Sequence, residues 1–335
     1  MMEINKAASV KNWLVKYILV VLLIGVAMVM IGVNQNFLTP ANLINILRNI
    51  AIQGILACGM TMVLIGGELD LSFGSTIGLT SLIITIFCDK VPEMTGMSID
   101  VAAIIAICIA LGCSVLFGLA NAYFITKWKM PSMVVTLGMQ FVIYGIGGAL
   151  SEGYSFFTLP KWWSVFGTDK IGSIPICVLI FLAVFLIFFM VMSKTKFGRK
   201  IYAVGGNAEA ARLSGINVRK TKYSIMVIMQ LCACLGGIIL SSQIFAGQVS
   251  YGKGMEMTVI AAAVIGGASI SGGRGTMIGT LLGVLFLGVI NNAMTVANIG
   301  DYPQYIVRGG LVIFAMLLNV LQTRENIKHK KVLKQ

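Results

Sequence analysis

The sequence predicts an all-α polytopic membrane protein of about ten transmembrane segments (eight to ten), some broken or re-entrant, with both termini cytoplasmic. Three observations carry this reading. Of the 335 residues, 58% are hydrophobic and 11% charged, with a mean hydropathy of +0.93, whereas soluble domains carry roughly 25% charged residues. Apolar runs recur along the chain at about 13–33, 43–65, 74–88, 100–126, 132–150, 174–193, 223–245, 256–267, 276–297 and 303–321, and a helix needs ~20 residues to cross a bilayer. Charge is also placed unevenly. Of 25 Lys and Arg, 19 fall at the N-terminus, at Lys127 and Lys129, in 194–222, at Arg274 or in the C-terminal tail, so those segments are assigned to the cytoplasm.

Taken in order, the first run, with Lys6 and Lys11 before it and Lys16 near its start, begins like a signal peptide. It continues to about Val33 without a small-residue cleavage site, so it reads as a retained span. Segments 74–88 and 256–267 are too short to cross comfortably, hence eight to ten rather than ten. The outer loops 89–99 and 151–173 carry acids and Tyr154, Phe156, Phe157, Trp162 and Trp163, aromatics suited to the headgroup level. Domain organisation is a single transmembrane domain over 1–321 and a basic cytoplasmic tail over 322–335. The net charge of +13 follows from topology and a bilayer surface, not from nucleic acid. Seven cysteines sit in or beside apolar runs with no metal spacing, so they read as buried packing.

Two glycine-rich stretches interrupt the apolar pattern: GGELDLSFGS at 66–75 and GGASISGGRG at 266–275. Their similarity suggests a weak internal repeat in parallel orientation, with Gly118–Asn121 and Gly288–Asn291 as a further pair. Irregular backbone at membrane depth survives only where protein or a water-filled cavity receives its polar groups. Candidates for a translocation path are therefore Gly66, Gly67, Asp70, Ser72, Ser75, Asn121, Gly266, Gly267, Ser271, Asn291 and Asn292. Gln140 and Gln243 are further uncharged donors and acceptors inside apolar runs. A sugar needs such groups, although each also serves plain interhelical hydrogen bonding. Glu68 and Asp70 read as caps of the third segment at the cytoplasmic interface.

The central loop, 194–222, holds eight Lys or Arg against one acid, Glu209. Within it, Asn207 is a good N-cap, Glu209 falls in the first turn, and Ala210, Ala211, Arg212 and Leu213 favour helix. Ser214 precedes Gly215, which suits a left-handed C′ position before the apolar Ile216. Gly205 and Gly206 flank the start. A short helix capped at both ends, with basic flanks, is built for contact. No stretch ends in the Gly-Lys-Ser/Thr of a phosphate loop, the one His lies at 329, and no metal or nucleophile constellation is present. No enzyme chemistry is expected, and no metal.

Four stretches then resemble the ribose-type permeases of bacterial ABC sugar importers: GGELDLSFGSTIGL at 66–79, GGNAEAARLSGI at 205–216, GGASISGGRGTMIGTLLGVLFLGVINNAM at 266–294, and YPQYIVRG at 302–309, with PSMVVTLGM at 131–139 in support. Glu68 departs from the shorter apolar residue common there. The resemblance implies a multi-pass subunit of the bacterial cytoplasmic (inner) membrane that pairs with a second permease copy or paralogue. It implies a cytoplasmic ATP-binding-cassette ATPase carrying ATP-Mg, an extracytoplasmic sugar-binding protein, and no cofactor on this chain. It also implies that residues 207–214 form the coupling helix that docks on the ATPase. The expected solute is a monosaccharide, ribose- or galactose-like. An ion-coupled secondary transporter, or an ABC permease for a nucleoside or branched-chain amino acid, is the alternative.

Overall fold

The computed structural model describes residues 20–300, 302–314 and 316–317. Among these, seven helices are long and apolar enough to cross a membrane: α2 (Pro40–Ile65), α3 (Phe73–Thr95), α4 (Ile99–Lys127), α5 (Ser132–Ser151), α6 (Ile176–Lys194), α9 (Val218–Ile244) and α11 (Met277–Val296). Shorter apolar helices are α1 (Val20–Val33) and α10 (Met255–Ile265). Helices α7 (Lys196–Gly206) and α8 (Ala208–Leu213) make up the basic central segment. A further helical stretch covers 302–314. The basic stretches at both chain ends and the end of the tenth predicted segment lie outside the described residues.

The boundaries follow local chemistry. Thr39 caps α2 with Pro40 in its first turn, where proline's missing N–H is no loss. Ser98 caps α4 by accepting from Val101 N–H, and α5 and α6 each start directly after a proline. Helix α3 outlasts its apolar run. It continues through Asp89, Lys90 and Pro92 to a left-handed Gly96, so a segment that looks too short for a span is 23 residues long. Helix α10 is short, at 11 residues.

Helices α2, α3 and α9 form the centre. Helix α4 packs on α3 and α9, α5 on α3, and α6 on α2, while α10 and α11 pack on each other and on α2. The link after α9 packs back against α3. Residues 246–248 run extended and 249–254 turn, and the segment packs along a column of small residues on α3, namely Gly74, Gly78, Ser81 and Thr85. A Cβ on Gly78 would lie 2.3 Å from the Val249 carbonyl oxygen, and one on Gly247 would lie 2.1 Å from Thr85 Oγ1. Only hydrogen at those positions lets the backbones touch. The segment's polar groups are satisfied sideways. Gly247 and Phe156 exchange both backbone bonds, and Gln248 N–H donates to Ser81 Oγ at 3.3 Å. This segment leads to Lys253, whose side chain is exposed.

The two glycine breaks are the same local device. Both α2 and α10 end in a right-handed glycine followed by a left-handed one, Gly66–Gly67 and Gly266–Gly267. In each, two N–H groups return to the last turn: Gly67 to Leu64 and Glu68 to Val63, Gly267 to Val264 and Ala268 to Ala263. That is the Schellman pattern. The repeat stops there, because Gly118 lies in the second helix after its break and Gly288 in the first.

Candidate functional site

Helix α2 presents Asn42, Asn45, Asn49 and Gln53, spaced three or four residues apart and so on one face. That face lines a cavity of about 980 Å³ in the half of the molecule away from α7 and α8. Gln243, Lys253 and Thr258 line another side, Asn291, Asn292 and Thr295 of α11 a third, and Tyr305 and Arg308 of the 302–314 stretch close it. Asn42 and Asn292 exchange hydrogen bonds at 2.9 and 2.8 Å. Arg308 donates to Asn291 Oδ1 and Gln304 Oε1, both at 3.1 Å, and Arg48 donates to the Thr168 carbonyl at 2.7 Å. The lining holds three cations, Arg48, Lys253 and Arg308, and no Asp or Glu. Carboxamides both donate and accept, which matches a polyhydroxylated solute. Beneath the cavity the core is closed: Thr61 and Thr280 share a 2.6 Å hydrogen bond, and Gly283 of α11 abuts the Ala262 carbonyl of α10.

A second cluster is sealed inside. Asp70 is fully buried, and its carboxylate accepts from Ser72 N–H (2.8 Å), Ser72 Oγ (2.6 Å) and Gln230 Nε2 (2.7 Å). Gln230 on α9 also accepts from Thr76 at 2.5 Å, and Asn121 on α4 donates to Ser72 Oγ at 2.9 Å. Asp70 is not on the surface of the protein: the stretch 66–72 carries it into the core, where it ties the first break to α3, α4 and α9. It does accept a freed N–H at the start of α3, as read from sequence, but Ser72 itself makes no side-chain cap. Glu68 does not cap either; it pairs with Lys222 at the foot of α9.

The third feature lies on the basic face. Thr195 caps α7, an amphipathic helix whose Gly198, Ile201 and Val204 are buried. Asn207 ends α7 and caps α8, accepting from Ala210 N–H at 2.9 Å. Gly215 closes α8 in the left-handed region, with Gly215 N–H donating to Arg212 and Ile216 N–H to Ala211. Glu209 and Arg212 pair at 2.6 Å on its exposed side, and the hydrogen bond from Arg212 holds the Glu209 carboxyl below its usual range. Behind α8, Gly205 sits against both breaks. A Cβ there would lie 1.7 Å from the Ile65 carbonyl oxygen and 2.8 Å from Gly273 N. That same Ile65 carbonyl accepts Gly273 N–H at 2.8 Å, and Tyr202 donates to the Gly275 carbonyl at 2.8 Å. Three glycine-bearing segments from α2, α7 and the α10–α11 link thus meet backbone to backbone.

The residues singled out from sequence therefore fall into separate places. Asn291 and Asn292 line the large cavity, as does Gln243. Asp70, Ser72 and Asn121 form the sealed cluster. Ser75 borders a small niche with Gln140 and Lys253, and Gln140 donates to Glu256 at 2.7 Å. Gly66 and Gly67 end α2 at the glycine junction, Gly266 and Gly267 end α10, and Ser271 is exposed in the following link. Residues 205–215 form α8 and its flanks. Sequence reasoning missed the Asn42–Asn45–Asn49–Gln53 column, whose helical spacing was its visible signal. It also missed α7, signalled by Thr195 before Phe197, Ile201 and Val204.

A family model described as "Branched-chain amino acid transport system / permease component" matches residues 42–316. The ribose import permease protein of Bacillus subtilis is 35% identical over 289 residues, 85% of this chain and 87% of that one. The ribose import permease protein of Escherichia coli K12 is 32% identical, covering 92% of this chain and 95% of its own. An L-arabinose ABC transporter permease protein of Azospirillum brasilense is 32% identical over 87% and 83% of the two chains. No solved structure gives a significant match. The resemblance to ribose-type permeases is thus borne out, and the chain belongs to the family of branched-chain amino acid transport system permease components.

Proposed function

We propose that this integral membrane protein is the permease subunit of an ABC importer, forming the path for a monosaccharide of the ribose or pentose class. The observation that carries the reading is the large cavity lined by carboxamides and hydroxyls on α2, α9 and α11, in a chain similar to ribose and arabinose permeases. A branched-chain amino acid, which the family description names, needs an acid for its ammonium group. The lining offers cations and no Asp or Glu, so the chemistry favours a hydroxylated neutral solute. Ion coupling is disfavoured as well, because Asp70 lies outside that lining and is bound by neutral partners on both oxygens.

In this reading α7, α8 and the glycine junction face the cytoplasm with both termini, and the 152–175 loop faces outward. The arrangement is that of a non-enzymatic transport subunit in the bacterial inner membrane. ATP-Mg is bound and hydrolysed on a partner ATPase, a second permease copy or paralogue completes the membrane part, and an extracytoplasmic binding protein delivers the sugar. Helix α8 is the contact for the ATPase, with Asn207, Glu209, Ala210, Arg212, Leu213 and Ser214 exposed as its surface and Ala211 packed beneath them. Movement of α8 reaches both breaks through Gly205, which shifts the packing of α2 against the α10–α11 link and opens the core below the cavity. Deleting residues 207–215 tests this. Loss of ATPase association with membrane insertion intact is expected, and retained association would refute the assignment.

A further inference from the structure

We propose that Lys194, Lys196, Arg199 and Lys200 form a binding site for the phosphate headgroup of an anionic phospholipid, placed where α6 turns into α7. Helix α6 is peripheral. Its Leu182, Leu186 and Met190 are exposed, three or four residues apart on one face, and an apolar column of that kind on a span faces acyl chains. Lys194 follows Met190 at the next position of the same column, at the last residue of the helix. The column therefore runs from lipid tails straight into a cation at headgroup depth, where a lysine extends its ammonium toward phosphate.

The turn that follows gathers more charge at that spot. Arg199 Nη1 donates to the Lys194 carbonyl at 3.4 Å, so its guanidinium lies at the end of α6 beside Lys194. Lys196 and Lys200 are four apart and exposed on α7, whose other face is fixed to the protein by Gly198, Ile201 and Val204. Among the described residues, the two ion pairs are Arg212–Glu209 and Lys222–Glu68, so none of these four cations is paired with a described acid. Three cations on a fixed amphipathic helix, with Lys194 at the end of the lipid-facing span beside them, complement an anionic bilayer surface. Because α7 carries Gly205 in its last turn, a headgroup held at its start also steadies the glycine junction.

The test uses the purified full-length chain alone, so it stands independently of the transport reading. Native mass spectrometry in detergent would follow titration with phosphatidylglycerol and, separately, phosphatidylcholine. Each cation near a lipid surface is worth roughly a fivefold change in affinity. The triple variant K196Q/R199Q/K200Q is thus expected to bind the first phosphatidylglycerol roughly hundredfold more weakly, with phosphatidylcholine binding unchanged. The charge-preserving K196R/K200R should retain wild-type affinity, and K161Q/K170Q, exposed on the opposite face, should too. Wild-type phosphatidylglycerol affinity in the triple variant would overturn the site, as would an equal loss in K161Q/K170Q. A separate pull-down with the partner ATPase covers the competing role: a triple variant that kept its lipid and lost the ATPase would make the cluster a protein contact, and the proposal would fail.

Discussion

Replacing Gly205 by alanine drives a methyl group into the meeting point of three chain segments. The new Cβ would lie 1.7 Å from the Ile65 carbonyl oxygen, where a carbon–oxygen contact needs about 3.3 Å. Helix α7 must therefore retreat by about 1.6 Å, or the end of α2 must do so. Either movement strains or breaks the Gly273 N–H bond to that carbonyl, 2.8 Å long in the native packing and worth about 1 kcal/mol. Overpacking adds about 1–3 kcal/mol, giving a loss of roughly 2–4 kcal/mol concentrated at the junction. The neighbouring glycine is the control, since a Cβ on Gly206 meets nothing within 4 Å. Purified complexes in proteoliposomes would be assayed for ATPase assembly, ATP hydrolysis and sugar uptake. Gly205→Ala should keep the ATPase bound through an unaltered α8 but transport less sugar per ATP, whereas Gly206→Ala should match wild type. Equal behaviour of the two variants would refute the junction as the link between α8 and the breaks.

Three further outcomes follow from single sites. Asn49→Leu removes an exposed carboxamide from the cavity wall and should cut uptake about tenfold, the effect of losing about 1.4 kcal/mol of hydrogen bonding, without lowering the melting temperature. Lys222→Met leaves Glu68, 6% exposed, without its partner and should destabilise the fold by about 3 kcal/mol in thermal unfolding; adding Glu68→Met should restore most of it. Asn207→Ala removes the cap of α8, worth about 1 kcal/mol, and should speed amide exchange across 208–213 and weaken ATPase binding. The Glu209–Arg212 pair acts on the same helix. A carboxyl held below its usual range stabilises above the unfolded carboxylate range and loses that contribution as pH falls through its folded value, so the protection of α8 amides, measured against their intrinsic exchange rates at each pH, should stay flat from neutral pH downward and fall only in acid.

Much of this architecture was legible because lipid imposes a simple rule on composition, and the spans α2, α4, α5, α6, α9 and α11 lie close to the apolar runs. Helix α8 was legible because capping is local: Asn207 and Gly215 mark its ends whatever surrounds it. The failures share one cause, which is that depth is a tertiary property. Asp70 looks interfacial beside two glycines, yet Gln230 and Asn121, 160 and 51 residues away along the chain, draw it inward. Nothing local marks Lys253 as a cavity residue, yet the small column Gly74, Gly78, Ser81 and Thr85 seats the segment that brings it to the cavity wall. Helix α7 was hidden because Gly198, Gly205 and Gly206 weaken its propensity, while packing against α2, α6 and α9 supplies what propensity lacks. The cavity wall on α2 was hidden in plain periodicity, because Asn and Gln in an apolar span are ordinarily bridges between helices.

The most direct test of the account is uptake of labelled ribose and leucine into proteoliposomes containing this chain, with its partner ATPase and binding protein present or withheld. The account predicts accumulation of the sugar and not of leucine, only with ATP inside the ATPase-facing compartment and only when all partners are present. Sugar uptake by the chain alone under an ion gradient, or ATP-driven uptake of leucine in place of the sugar, would contradict it.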